Sequence, residues 1–137
     1  MRLVDPPPGI PLEHFGGDVR FSAAAAFGPG RRYWTVAGTT IVTGEQLLLV
    51  MPAEREAPPQ VVLAAALEDT SVRSRPWWSF GTGLYLEVGD QSFTVEPEPF
   101  HGSTVTPAHI SRARRAAAEL EKALMERPLA GSIDAKR

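Results

Sequence analysis

The sequence predicts a mainly β domain, a two-sheet sandwich or partly open barrel, closed by one C-terminal amphipathic helix. Three observations predict it. Two pairs of apolar runs are each broken by a short glycine turn, residues 40–42 and 47–51 around Thr43-Gly44-Glu45, and residues 84–88 and 91–95 around Gly89-Asp90. That is the pattern of β-hairpins. Further turn signals at Gly28-Pro29-Gly30 and Pro58-Pro59 divide other β-prone residues into short strands. Finally, residues 107–127 carry apolar side chains at steps of three and four, which suits a helix with one buried stripe.

Taken in order, residues 1–18 hold Pro6-Pro7-Pro8, Pro11 and Gly16-Gly17 and predict an irregular arm, laid on the body through Ile10, Leu12 and Phe15. In residues 19–27, Val19, Phe21 and Phe27 share one parity, so a strand is favoured, although the run from Ala23 to Ala26 also suits a helix. After the turn at Gly28-Pro29-Gly30, residues 33–36 and 39–43 predict two strands, or one long strand bent at Gly38. Leu47-Leu48-Leu49-Val50-Met51 has no polar alternation and predicts a return strand buried on both faces. Residues 53–60 predict an exposed loop, and Val61-Val62-Leu63 a further strand. Residues 64–69 suit either a single helical turn or irregular chain, while 70–72 and 77–80 look like strand. The second hairpin sets Leu84, Leu86 and Val88 opposite Phe93 and Val95.

The helix has a start signal in Thr106, a capping residue, followed by Pro107 at the first helical position, where a missing N–H is harmless. Ile110, Ala113, Ala117, Leu120 and Leu124 form its stripe, which must cover apolar surface, most simply an open end of the sheets. Pro128 stops it, and residues 128–137 read as a flexible tail. The expected organisation is therefore an arm over 1–18, a single domain over 19–127 and the tail.

Composition limits function. With 137 residues and 43% apolar content the chain is long enough to bury a core. The absence of cysteine excludes disulfides, thiolate metal sites and cysteine nucleophiles. A net charge of -2 gives no global attraction to nucleic acid or anionic lipid. The N-terminus lacks the apolar run of a secretory signal, so the expected compartment is the cytoplasm, with peripheral membrane attachment as a variant.

The run Gly38-Thr39-Thr40-Ile41-Val42-Thr43-Gly44-Glu45-Gln46-Leu47-Leu48-Leu49 has a glycine, a strand ending in threonine, a turn and a leucine-rich strand. Val62-Leu63, Asp69, Ser71-Val72, Gly83-Leu84 and Phe93-Thr94-Val95 continue the spacing. In these features residues 19–126 resemble the pleckstrin-homology-like superfamily, in particular its GRAM-type and bacterial members. The resemblance implies a PH-like sandwich or partly open barrel of about seven strands and a non-enzymatic binding or scaffolding role. The chain departs from lipid-binding members in having only Arg31 and Arg32 after Gly30, without a dense basic cluster, so phosphoinositide binding does not carry over.

Candidate binding residues are Arg31, Arg32 and Trp34, where cations adjoin aromatics, and Trp77 with Trp78, whose side chains point to opposite faces if they lie in a strand. The plain alternative is a solvated turn beside strand-anchoring rings. His14, His101 and His109 lack the paired spacing of a zinc site. Neither Ser79 nor Ser103 sits in a nucleophile elbow, and Gly81-Thr82-Gly83 is too short to cradle a phosphate. Arg112, Arg114 and Arg115 are opposed by Glu119, Glu121 and Glu126 on the same helix, against nucleic-acid binding. The expectation is thus a module without catalytic residues, metal or cofactor that engages a protein segment by an exposed strand edge or by the opening between strand loops. The alternatives are membrane attachment through Arg31, Arg32, Trp34 and one of the paired tryptophans, and a small-molecule carrier using the sheet interior.

Overall fold

The computed structural model describes residues 3–6, 18–29, 36–52, 57–74, 82–98 and 106–126. Their elements, in chain order, are β1 (Phe21–Pro29), β2 (Val36–Val42), β3 (Gln46–Met51), β4 (Gln60–Ala66), a 3-10 turn (Leu67–Asp69), β5 (Thr70–Ser74), β6 (Leu84–Val88), β7 (Gln91–Pro97) and α1 (Pro107–Met125). The strands form one antiparallel sheet in the order β4-β3-β2-β1-β7-β6-β5.

That order forces the sheet to curl. β4 and β5 are its two outer strands, yet only Leu67–Asp69 separates them along the chain. The two edges must therefore meet at one corner, which turns a flat sheet into a partly open barrel. Core composition agrees, because Leu47 and Leu49 from one arm and Leu84, Leu86 and Val95 from the other share a single buried cluster with Phe21, Phe27 and the helix.

Both predicted hairpins are present. Thr43 makes the first turn, its Oγ1 accepting from the backbone N–H of Glu45 at 3.2 Å and of Gln46 at 3.0 Å, so a threonine hydroxyl replaces backbone bonding inside the turn. β3 is buried on both faces as its sequence predicts, with Leu47, Leu48, Leu49 and Val50 all fully covered. The second turn places Gly89 at φ 60, a backbone conformation that glycine adopts without steric cost. Its register sets Leu84 against Val95 and Leu86 against Phe93, as predicted.

Two elements differ from the prediction. β1 does not turn at Gly28-Pro29-Gly30 but continues through Gly28 and Pro29, which pair with Thr94 and Phe93 of β7. Among the described residues, pairing of β1 with β2 is seen as far as Phe27 opposite Val36. Residues 64–69, ambiguous in sequence, divide cleanly, with Ala64–Ala66 completing β4 and Leu67–Asp69 forming the 3-10 corner. At Gly38 the strand does not divide. β2 runs through it, the single-strand alternative, and glycine is needed there because a Cβ would collide with the carbonyl oxygen of Val50 and come within 2.9 Å of the Phe27 ring. The glycine lets the aromatic ring lie over the sheet. Residues 33–35 and 77–80 lie outside the described residues.

A β-bulge explains how β4 serves two clusters. The register shifts between Leu49 and Val50, leaving Val62 as an extra residue between Val61 and Leu63. Val61 then packs on the outer cluster of Ile41, Leu48, Val50 and Val19, while Leu63, two positions on, packs on the main core.

The helix closes one end. Thr106 caps it, its Oγ1 accepting from the backbone N–H of His109 at 3.1 Å, and Pro107 takes the first position. Ala113, Ala117, Leu120 and Leu124 are buried as the stripe predicts, joined by Ala116 and Ala123. These small residues let the helix lie close against β1, β2, β5 and β7. It is held at both ends. The His109 ring Nε2 donates to the carbonyl oxygen of Glu98 at 2.9 Å, and Arg20 Nη1 donates to the carbonyl oxygen of Glu126 at 2.7 Å. The second bond puts a cation at the helix C-terminus, where the macrodipole favours it.

Candidate interaction site

The residues singled out from sequence, Arg31, Arg32, Trp34, Trp77 and Trp78, all lie outside the described residues. So do Ser79, His14, His101, Ser103 and Gly81. Described candidates have structural partners. His109 is engaged in fastening α1, and Thr82 and Gly83 are buried beside the start of β6. Among the described residues no cluster of three or more metal-ligating side chains occurs, and no described helix is long and apolar enough to cross a membrane.

What the structure brings together lies elsewhere, on the outer side of β4. The hydrogen-bond alternation of the hairpin fixes which way each residue of β4 points. Thr43 N–H donates to the carbonyl oxygen of Gln46 at 2.9 Å, so the even-numbered residues at the start of β3 turn their polar backbone groups toward β2 and the odd-numbered ones toward β4. Leu47 faces Ala65 and Leu49 faces Leu63. Consistent with this, the N–H of Leu67, two residues beyond Ala65, points back to the carbonyl oxygen of Glu45 at 2.9 Å. Ala64 and Ala66 must then direct their backbone groups away from the sheet. The carbonyl oxygen of Ala66 is met by the Thr70 hydroxyl at 3.0 Å. The N–H of Ala66 and both backbone groups of Ala64 face outward. Ala64 is exposed, and Val62 retains 49% of its accessible surface.

Beside this edge is an open cavity of about 370 Å³ lined by Glu45, Gln46, Ala66, Leu67 and Glu68. Ala66 belongs to both edge and cavity. Two local features build it, the Thr43 turn that presents Glu45 and the 3-10 corner that presents Glu68. Both carboxylates are exposed, and neither makes an ion pair among the described residues. Sequence reading missed the cavity, since its two acidic residues are 23 apart and look like ordinary surface positions. The available signal was the alanine run before Leu67, where small side chains leave a backbone edge uncovered.

Elsewhere, burial raises the pKa of Glu96 on β7 above its ordinary value. Ser22 Oγ and Thr40 Oγ1 are buried without a hydrogen-bond partner. The Ser22 carbonyl oxygen accepts from Leu3 N–H at 2.7 Å, where β1 extends past the end of β7.

No protein-family model and no curated protein matches the sequence. Solved structures do match in shape. One, on the critical structural role of the PH and C1 domains of the Vav1 exchange factor, is 12% identical with a TM-score of 0.53 over 82% of this chain. The apo structure of an activated truncation of Vav1 is 13% identical with a TM-score of 0.54 over 85%. A third, of Vav1 with an allosteric inhibitor, is 11% identical with a TM-score of 0.51 over 83%. The chain spans 27%, 28% and 20% of the lengths of those proteins. At such identities the likeness concerns fold alone, and the fold is pleckstrin-homology-like.

Proposed function

We propose that this chain is a non-enzymatic binding or scaffolding module of PH-like type that engages a protein partner. The observation that supports this reading is the outer edge of β4, an uncharged strand whose residues Ala64 and Ala66 turn backbone groups away from the sheet. Among the described residues no strand pairs with this edge, and such an edge offers main-chain hydrogen bonds to an added strand. The Gly38 to Leu49 hairpin keeps the likeness to GRAM-type and bacterial members, which is part of the same proposal.

The test is selection of a random 12-residue peptide library on the immobilised chain, with co-sedimentation on neutral and anionic liposomes in parallel. Enrichment of peptides that bind saturably, without pelleting on either liposome, is the expected result. Failure to enrich any peptide, together with salt-sensitive pelleting lost in Arg31→Ala/Arg32→Ala, would replace the reading with membrane attachment.

A further inference from the structure

We propose that the β4 edge and its adjoining cavity form one continuous site for an extended polypeptide segment carrying a lysine or arginine. This rests on the protein-binding reading above and names the place and the chemistry. The edge supplies three outward backbone groups, the N–H and C=O of Ala64 and the N–H of Ala66. A strand laid along β4 pairs with these, and the methyl side chains of Ala64 and Ala66 leave room for its own side chains. Followed toward the corner, the strand reaches the cavity at Ala66.

The cavity selects the side chain. Its lining couples apolar surface at Ala66, above the buried Leu67, to carboxylates at Glu45 and Glu68. A lysine or arginine matches both parts, because its aliphatic stem packs on apolar surface while its charged head stays at the polar rim. An acidic residue would meet like charge. The outer strand at the other side of the sheet, β5, is no equivalent site, since Arg73 stands on it and pairs with Glu87 at 2.8 Å. A second copy of this chain fits less well than a basic segment. Antiparallel pairing about Ala64 brings the copy's Gln60 opposite Glu68, which leaves the carboxylate without a cation.

The experiment uses the same 12-residue library, selected on the full chain, with individual enriched peptides then synthesised and titrated against three proteins while backbone amide resonances are followed. The proteins are wild type, Ala64→Pro, which deletes an outward N–H and no ladder bond, and Glu45→Gln/Glu68→Gln. The expected result is enriched peptides with a lysine or arginine at a fixed place in a β-prone run. Their binding should shift the amides of Ala64, Ala66 and Leu67. It should weaken about tenfold in Ala64→Pro, as loss of one or two hydrogen bonds implies, and measurably more in high salt for wild type than for the glutamine variant. If Ala64→Pro fails to fold, the glutamine variant and the amide shifts decide. Enriched peptides that lack a basic residue, or that bind all three proteins alike, overturn this site and leave protein binding standing. Absence of any enriched peptide overturns both. Concentration-dependent changes at Ala64 in the free protein assign the edge to self-association and overturn the basic-segment proposal.

Discussion

The two outer strands of the sheet meet at the same corner and are finished differently. β5 has five residues, a register shift between Val72 and Ser74, and an arginine held by Glu87 on the neighbouring strand. β4 has seven residues, no charge and an alanine run, and its own bulge at Val62 lies away from the corner. Shortness, bulges and charge are the usual means by which an edge is kept from pairing with another chain. Among the described residues β5 uses all three and β4 the bulge. Among the described residues, then, these guards are gathered on the β5 side of the sheet, and the β4 side that lacks shortness and charge is the one beside an acidic cavity.

The largest perturbation removes the frame on which both edges hang. Leu120→Asp places a carboxylate under the helix at a fully buried position and should cost on the order of several kcal/mol. Denaturant unfolding checks this, and both edges should lose amide protection together. Gly38→Ala acts mainly on the β4 side, where β2 and β3 meet. The added methyl must displace both the Val50 carbonyl and the Phe27 ring, a strain of about 1–3 kcal/mol or more, and protection should fall in β2, β3 and β4 more than in β5 and β6.

A smaller effect concerns Glu96 on β7, toward the β5 side. Burial raises its pKa in the folded protein, so the folded state holds the proton more tightly than the unfolded one. Its contribution to stability is present below the ordinary value of 4.5 and is lost as pH rises through the higher folded value. Glu96→Gln should therefore gain stability relative to wild type as pH rises through this range, and thermal unfolding at a series of pH values measures it. The smallest effect is expected from Arg73→Ala, because the Arg73–Glu87 pair is largely solvated, with side chains 61% and 41% exposed. Its loss should cost less than about 0.5 kcal/mol, yet it should speed amide exchange along β5 and narrow the difference between the edges.

How much of this was legible depended on distance along the chain. Both hairpins and the helix are local structures with local signals, Thr43-Gly44-Glu45, Gly89-Asp90 and Thr106-Pro107, and each appears where the sequence predicts it. The extension of β1 through Pro29 was not legible, because β7, which pairs with it, lies more than sixty residues away. Nor was the division of residues 64–69, since alanine suits a helix as well as this edge and only the bond from Leu67 to Glu45 settles where the strand ends. The sequence drew attention to aromatic and basic residues at Arg31, Arg32, Trp34, Trp77 and Trp78. The site argued from the structure consists of backbone groups at two alanines and two unremarkable glutamates, types that carry no motif. A strand edge was anticipated as a mode of binding, but which strands lie outermost is a property of sheet order, and sheet order is non-local.

The central claim is that Ala64 and Ala66 direct their N–H groups away from the sheet while Leu63 and Ala65 bond to β3. Native-state hydrogen exchange of the free protein, read residue by residue along β4, tests this most directly. Slow exchange at Leu63 and Ala65 alternating with fast exchange at Ala64 and Ala66 is the predicted result. Protection of Ala64 and Ala66 equal to that of their neighbours would contradict it, for the edge would then already be occupied.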